Sequence, residues 1–329
     1  MLIVLAVPSK KDSYYKKYFN DIVDFHVSYA KAILEGGDQV VILADKTSMP
    51  ILKSRLPNDN LLLVNEQIDP WIRDVSPVIT SDGKHIQFHY SGGLKKREAI
   101  SLQNSFNRVL EKFNISSSVD KVNFVNDGGN FVYNRELGIV ITTNKFLELN
   151  KIKNKSEAIS LLQDIFGVEQ IAIIPADDEK LGHVDGMCSI INNTILLASY
   201  EDDLDFRSSV LKELNVLKGI TIKEVICPFS NKTASGGFAS AYGVYVNCVM
   251  TENAIYVPVF NDPHDKTALR VIREIILTGG ENCSNNSELK VIPVDATKVC
   301  DLGGSLRCLS WELTDGENAH KLIQAAKIQ

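Results

Sequence analysis

The chain has 329 residues, with 35 Lys and Arg against 41 Asp and Glu, for a formal net charge of −6. With 44% hydrophobic and 23% charged residues it has the make-up of a globule long enough to bury a large core. The mild acidity argues against nucleic acid as a partner and suits a small cationic substrate.

Met1 runs directly into Leu2-Ile3-Val4-Leu5-Ala6-Val7. This apolar run is far short of the roughly 20 residues of a membrane span, and it lacks a signal peptide's basic region and cleavage site. It reads as a buried strand of a cytoplasmic protein whose six cysteines are reduced. A helical stretch is expected near 15–35, where Ile22, Phe25, Tyr29 and Ile33 recur at steps of three and four. A strand is expected from Gln39 to Ala44. No membrane partner is expected, and a homodimer is open on base rate alone.

From Trp71 onward one pattern recurs. A polar or Gly-marked motif leads into a strand, a tight turn, a second strand, a helix-period stretch and an apolar closing strand. The motifs begin at Trp71-Ile72-Arg73-Asp74, Asn126-Asp127-Gly128-Gly129-Asn130, Gly182-His183-Val184-Asp185, Ser240-Ala241-Tyr242-Gly243 and Gly303-Gly304-Ser305-Leu306-Arg307-Cys308. Asp74, Asp127, Asp185, Asn247 and Cys308 follow one another at 53, 58, 62 and 61 residues. Such regular spacing points to a ring or array. The last copy lacks its helix and closing strand, and the segments before residue 45 supply them. The expectation is one domain, 1–329, forming a closed ring whose ends complete the same unit. Closure removes exposed sheet edges.

In such a ring the repeat starts converge on the axis, bringing together Trp71, Asp74, His183, Asp185, Asn247 and Cys308. If His183-Val184-Asp185 is extended, His183 and Asp185 share one face. Two carboxylates, a histidine and a cysteine suit attack on a planar cationic carbon. Carboxylates accept pairwise from a guanidinium fork, a thiolate attacks its central carbon, and the histidine protonates the departing ammonia and then activates water. This chemistry needs no cofactor, and the absence of a C-x-x-C pair gives no indication of zinc.

Trp71-Ile72-Arg73-Asp74-x-x-Pro77, Asp127-Gly128-Gly129-Asn130, Gly182-His183-Val184-Asp185-Gly186, Tyr245-Val246-Asn247 and Gly303-Gly304-Ser305-Leu306-Arg307-Cys308 stand in an order that resembles the agmatine deiminase and Porphyromonas-type peptidylarginine deiminase family, of the guanidino-group-modifying superfamily. The resemblance covers nearly the whole chain. It implies an α/β fold, a five-bladed pseudo-symmetric propeller (the pentein fold) of ββαβ repeats, with the last blade closed by the N-terminus. It implies Asp74 and Asp185 as guanidinium-binding aspartates, His183 as general acid and base, and Cys308 as nucleophile. Trp71 would be a pocket wall and Asn247 a site-lining residue. The sequence departs from agmatine deiminases at Ile72, at Val75-Ser76, and at Arg307, where those enzymes tend to carry histidine.

Set against these are plainer roles. Asp127 either binds substrate or fixes a turn, and Arg307 is more readily a salt-bridge partner than an activator of the thiol. Cys188, Cys248 and Cys300 read as core. The expected activity is hydrolytic deimination of agmatine or free arginine through a Cys308 thiouronium. Peptidylarginine deimination, amidino transfer and a non-catalytic binding role on the same ring are the alternatives.

Overall fold

An apolar run without alternation suits a strand covered on both faces, and in the computed structural model strand β1 (Leu2–Val7) is buried along its whole length. The structure describes residues 1–80, 82–115, 118–234, 236–278 and 289–328, so Cys283 lies outside the described residues. β1 crosses through helix Phe19–Gly36 to the parallel strand β2 (Gln39–Ala44). The helix turns Ile22, Phe25, Tyr29 and Ile33 inward, each 1% exposed or less. It ends at Gly37, whose left-handed φ of 97° lets its N–H reach the Ile33 and Leu34 carbonyls.

The same unit then repeats. β4 (Val78–Ile79) pairs antiparallel with β5 (His85–His89), and helix Lys96–Lys112 carries the chain to β6 (Val119–Val125), parallel to β5. The second copy is β7 (Val132–Asn134), β8 (Ile139–Thr143), helices Lys145–Asn150 and Lys155–Phe166, and β9 (Gln170–Ile174). The third is β10 (Cys188–Ile191), β11 (Thr194–Ala198), helix Leu204–Leu214 and β12 (Thr221–Val225). The fourth is β13 (Val249–Met250), β14 (Ala254–Val259), helix Asp265–Thr278 and β15 (Lys290–Asp295). The fifth begins with β16 (Trp311–Leu313), which pairs antiparallel with β1, Leu313 opposite Leu2 and Trp311 opposite Val4. The N-terminal segments therefore finish the fifth unit, as the spacing implied.

Neighbouring sheets share their apolar layers all the way round. Leu2, Val4 and Trp311 pack with Ile72, Val75 and Phe106. Phe88 packs with Phe131 and Phe166, and Ile139 with Met187 and Ile195. Leu196 and Val225 join Tyr245 and Tyr256, which in turn meet Ile3, Phe25 and Tyr29 of the first sheet. Each unit has too few strands to bury both faces alone, so each is stabilised by its neighbours.

Several elements were not anticipated, helix Met49–Lys53 among them. A short strand β3 (Leu61–Leu63) extends the closing sheet beside β2, and helix Gly316–Ile328 continues past β16 to pack over it. The helix buries Ala319, Leu322 and Ala326. Two of these three are small alanines, and that weakens the periodic signal in sequence. No helix among the described residues is long and apolar enough to cross a membrane.

Candidate active site

Each repeat opens on a tight turn. Ile72–Val75 is one turn of α-helix, Gly128–Asn130 and Val184–Gly186 are single turns of 3-10 helix, and the chain turns again at 244–247 and 306–309. This corrects the extended reading of His183-Val184-Asp185. No strand partner stands beside these residues, so their backbone groups are met locally, Gly186 N–H by His183 O at 3.1 Å and Met187 N–H by Val184 O at 3.0 Å. Val184 points into the core, while His183 and Asp185 both reach the pocket.

The five turns are tied into a ring by hydrogen bonds. Arg73 N–H donates to Cys308 O (3.3 Å), and Arg307 N–H to Asn247 O (3.3 Å). Asn247 Nδ2 donates to Asp185 O (3.0 Å), and Val184 N–H to Asn130 Oδ1 (3.3 Å). Gly129 N–H closes the circle on Asp74 Oδ1 at 3.0 Å. Gly129 has to be glycine. A Cβ there would lie 2.6 Å from Asp74 Oδ1, 2.8 Å from His183 Nδ1 and 3.2 Å from Asp185 Oδ2. Those three distances also show how closely the two aspartates and the histidine gather.

His183 stands between carboxylates. Its Nε2 is 3.0 Å from Asp127 Oδ2, and its Nδ1 is 3.6 Å from Asp74 Oδ1. Burial opposes the charge on the imidazole, but Asp74, Asp127 and Asp185 together outweigh it and hold the pKa well above the ordinary value. Asp74 is pushed up by burial and by the other two aspartates, against the pull of His183. Carboxylates therefore flank the imidazole at both ring nitrogens.

Asp127 has no oxygen to spare. It accepts from Ser91 N–H (2.6 Å), Ser91 Oγ (2.9 Å) and Gly92 N–H (2.9 Å) as well as contacting His183. It fixes a turn and orients the histidine, and it is not among the residues lining the main cavity. Asn247 does line that cavity, and its Oδ1 also accepts from Ser305 Oγ (3.0 Å), Arg307 N–H (3.0 Å) and Cys308 N–H (3.4 Å). It therefore shapes the turn that carries the thiol, whose Sγ is 3.5 Å from the same oxygen.

Cys308 is partly exposed, whereas Cys188, Cys227, Cys248 and Cys300 are buried. Burial, and then Asp185 and Asp74, push the Cys308 thiol far up, opposed only by hydrogen bonds at Ser305 and Asn247. A cation arriving between the two aspartates removes the like-charge opposition and favours the thiolate. Trp71 lies against the same turn. A Cβ on Gly304 would fall 2.6 Å from Trp71 Cζ3, so Gly304 is what lets the indole approach Cys308.

Arg307 is a buried ion-pair partner. Its Nη1 is 2.9 Å from Asp185 Oδ2 and its Nη2 is 2.7 Å from Phe131 O. Beside it Arg73 is paired with Glu312 and reaches Arg307 O through Nε.

The cavity above these groups is about 500 Å³. Trp71, Asp74, His183, Asp185, Asn247 and Cys308 meet in its lining, which leaves Asp127 alone outside among the residues singled out in sequence. The rest of its lining comes from connecting segments and from the first turn of helix Lys96–Lys112, and holds Asp12, Tyr15, Asp69, Glu98, Asp177, Asp178, Tyr200 and Phe238. Asp69 accepts from Tyr15 OH at both oxygens and from Trp71 N–H, and Asp177 accepts from Tyr200 OH. Among the described residues no group of three His, Cys, Asp and Glu side chains is placed to hold a metal ion.

A sequence model of the Porphyromonas-type peptidyl-arginine deiminase family matches residues 2–313. The chain belongs to that family. The agmatine deiminase of Pseudomonas fluorescens is 24% identical to it over 330 residues, covering 87% of this chain and 85% of that one. The solved agmatine deiminase of C. jejuni superposes with a TM-score of 0.74 at 23% identity, over 96% of this chain and 93% of its own. A DDAH structure from Pseudomonas aeruginosa, complexed with citrulline, gives a TM-score of 0.54 at 12% identity, over 95% of this chain and 98% of its own. These likenesses carry the fold, which is the five-bladed α/β propeller, or pentein fold.

Sequence reading missed Gly129, Gly304, and the Asp69–Tyr15 and Asp177–Tyr200 pairs. The doubled glycines at 128–129 and 303–304 were the available signal for close approach. The Asp–Tyr pairs join residues 54 and 23 positions apart in non-repeating segments, and no local pattern marks them.

Proposed function

We propose that this protein is a hydrolytic deiminase of a guanidino compound that carries a second positive charge, with agmatine as the type substrate, and that the whole chain acts as one unit. The observation that carries the choice of substrate is the charge of the cavity. Asp12, Asp69, Asp74, Glu98, Asp177, Asp178 and Asp185 line it, and among the described residues no lysine or arginine does. A substrate with a guanidinium at one end and an amine at the other meets carboxylates at both. Free arginine would set its carboxylate against this acidic lining.

In this reading Asp74 and Asp185 hold the guanidinium flat beside Trp71. Cys308 gives its proton to solvent as the cation enters, and Sγ attacks the central carbon. Imidazolium His183 gives a proton to one terminal nitrogen. The carbon–nitrogen bond breaks, and ammonia leaves a thiouronium on Cys308 and takes up a proton from solvent. The now neutral His183 takes a proton from water, whose oxygen bonds to the same carbon. Collapse expels the thiolate, which takes the proton of the new hydroxyl, and yields the ureido product. Overall one water is consumed and one ammonium is released. Asp127 holds the imidazole through Nε2 during both transfers. The mechanism requires Cys308 to remain a thiol, and we place the protein in the cytoplasm on that ground.

Free arginine is the second reading, because Lys180 Nζ lies 3.7 Å from the centroid of the cavity-lining Phe238 ring, at the rim. An ammonia-release assay over agmatine, arginine, a blocked arginine peptide and methylated arginines separates these. Agmatine should lead arginine in kcat/KM by about a hundredfold, the discrimination that about 2.7 kcal/mol provides. Equal or greater turnover of arginine would overturn the choice, and no ammonia from any guanidine would overturn the activity.

A further inference from the structure

We propose that Arg307 is a positioning residue: a guanidinium built into the protein that holds the Asp185 carboxylate in a fixed place for an incoming cation and locks it to the turn carrying Cys308. The inference rests on the reading that this pocket binds a guanidinium or amidinium. It goes further in making the two substrate-facing aspartates unequal.

The geometry is specific. Arg307 Nη1 takes Asp185 Oδ2 at 2.9 Å while Nη2 is held on Phe131 O at 2.7 Å, so the planar fork cannot swing with the carboxylate. Its own N–H is held by Asn247 Oδ1, the oxygen that also accepts from Cys308 N–H, and Asn247 Nδ2 reaches back to Asp185 O. One residue thus spans the carboxylate, the asparagine hub and the nucleophile's turn. Among the described residues no arginine or lysine is paired with Asp74. Its contacts are Gly129 N–H and the edge of His183.

The charged and titratable groups around the pair are few. Asp185 faces Arg307 and Cys308 from the fifth turn, Asp74 from the first, Asp127 from the second, and His183 and Cys188 from its own repeat. Arg307 faces Asp185, Glu312 and Tyr133, and Glu312 is itself paired with Arg73. Among the described residues no second cation is paired with Asp185, and His183 is engaged by Asp127 and Asp74. Without Arg307, the Asp185 carboxylate would lose the partner that fixes its orientation toward an incoming cation and its tie to the turn that carries Cys308. The two aspartates are therefore held unequally: Asp185 is clamped by the guanidinium fork, whereas Asp74 is met by Gly129 N–H and the edge of His183.

The test uses alkylation of Cys308 at pH 7, read by peptide mass spectrometry, with cationic 2-chloroacetamidine and neutral 2-chloroacetamide. In R307Q the amidine-to-amide rate ratio should fall about tenfold, roughly 1.4 kcal/mol. R307K keeps a cation and should keep the ratio within about threefold of wild type while slowing both reagents. R307M supplies a second neutral variant if the glutamine variant does not fold, and should lower the ratio the same way. An unmoved ratio in the folded neutral variants would overturn the proposal, as would a fall in R307K as large as theirs. Failure of the wild-type protein to release ammonia would sink the deiminase reading and leave these alkylation rates intact.

Discussion

At the floor of the pocket every reacting group stands on a turn that hydrogen-bonds to its neighbours, whereas at the mouth the lining comes from connectors that meet through side chains. The floor is continuous from Arg73 to Cys308, Asn247, Asp185, Asn130 and back through Gly129 to Asp74. The mouth depends on contacts such as Tyr15 on Asp69 and Tyr200 on Asp177. A preorganised floor lets charge be stabilised without reorganisation when the guanidinium carbon becomes tetrahedral. A mouth made of separate pairs lets the distal end of the substrate be chosen without disturbing the chemistry. Changes at the floor should therefore lower kcat, and changes at the mouth should raise KM.

The largest effect is expected at the thiol. Cys308→Ala should lower ammonia release by at least about a thousandfold, since no other group here forms the covalent intermediate. Its thermal midpoint should stay within a few degrees of wild type, because the side chain is partly exposed and its loss opens onto the cavity. Retained turnover with agmatine would break the division between floor and mouth at its centre.

Gly129→Ala asks how tightly the floor is set. The added methyl would sit 2.6 Å from Asp74 Oδ1 and 2.8 Å from His183 Nδ1, and neither atom can retreat without giving up a ring contact. Displacement of reacting groups by about 1 Å costs on the order of a hundredfold in rate. The loss should fall on kcat, with cation affinity changed less. A variant with normal kcat would mean that the ring tolerates slack.

The same contrast explains what was legible in the sequence. The floor repeats five times at nearly constant spacing, so Asp74, His183, Asp185, Asn247 and Cys308 could be aligned as repeat starts before any contact was known. Strands such as Gln39–Ala44 were readable to the residue because apolar runs there are bounded by polar turns. The turn geometry of His183-Val184-Asp185 was not readable, because His183 itself is extended and the 3-10 turn begins only at Val184, a change of conformation that no residue in the triplet marks. Asp127 was ambiguous for a different reason. Its role is set by Ser91 and Gly92, 36 and 35 residues earlier, and by His183, 56 later. Arg307 could be paired in principle, but only coordinates show that its partner is a residue already assigned to substrate. The mouth belongs to no repeat, so nothing in the sequence pointed to Asp69 or Tyr15.

The smallest effect is expected at Asp69, and its sign with pH is fixed by the site. Burial raises the Asp69 carboxyl to about 6, against the hydrogen bonds from Trp71 N–H and Tyr15 OH. A raised carboxyl is charged only above that pH, so its attraction for a distal amine is present near pH 7.5 and fades as the pH falls through about 6. A bound amine would itself favour the charged form and pull the transition lower. Asp69→Asn should raise KM for agmatine about tenfold at pH 7.5, the scale of one charge-assisted hydrogen bond, with kcat within about twofold. The KM of the variant should also lose the rise toward acid that the wild type shows near pH 6. A monoguanidine without a distal amine should show neither change. If Asp69→Asn instead lowered kcat for both substrates equally, Asp69 would belong to the floor through its bond to Trp71 N–H, and the boundary between the two regions would have to be drawn one residue pair further out.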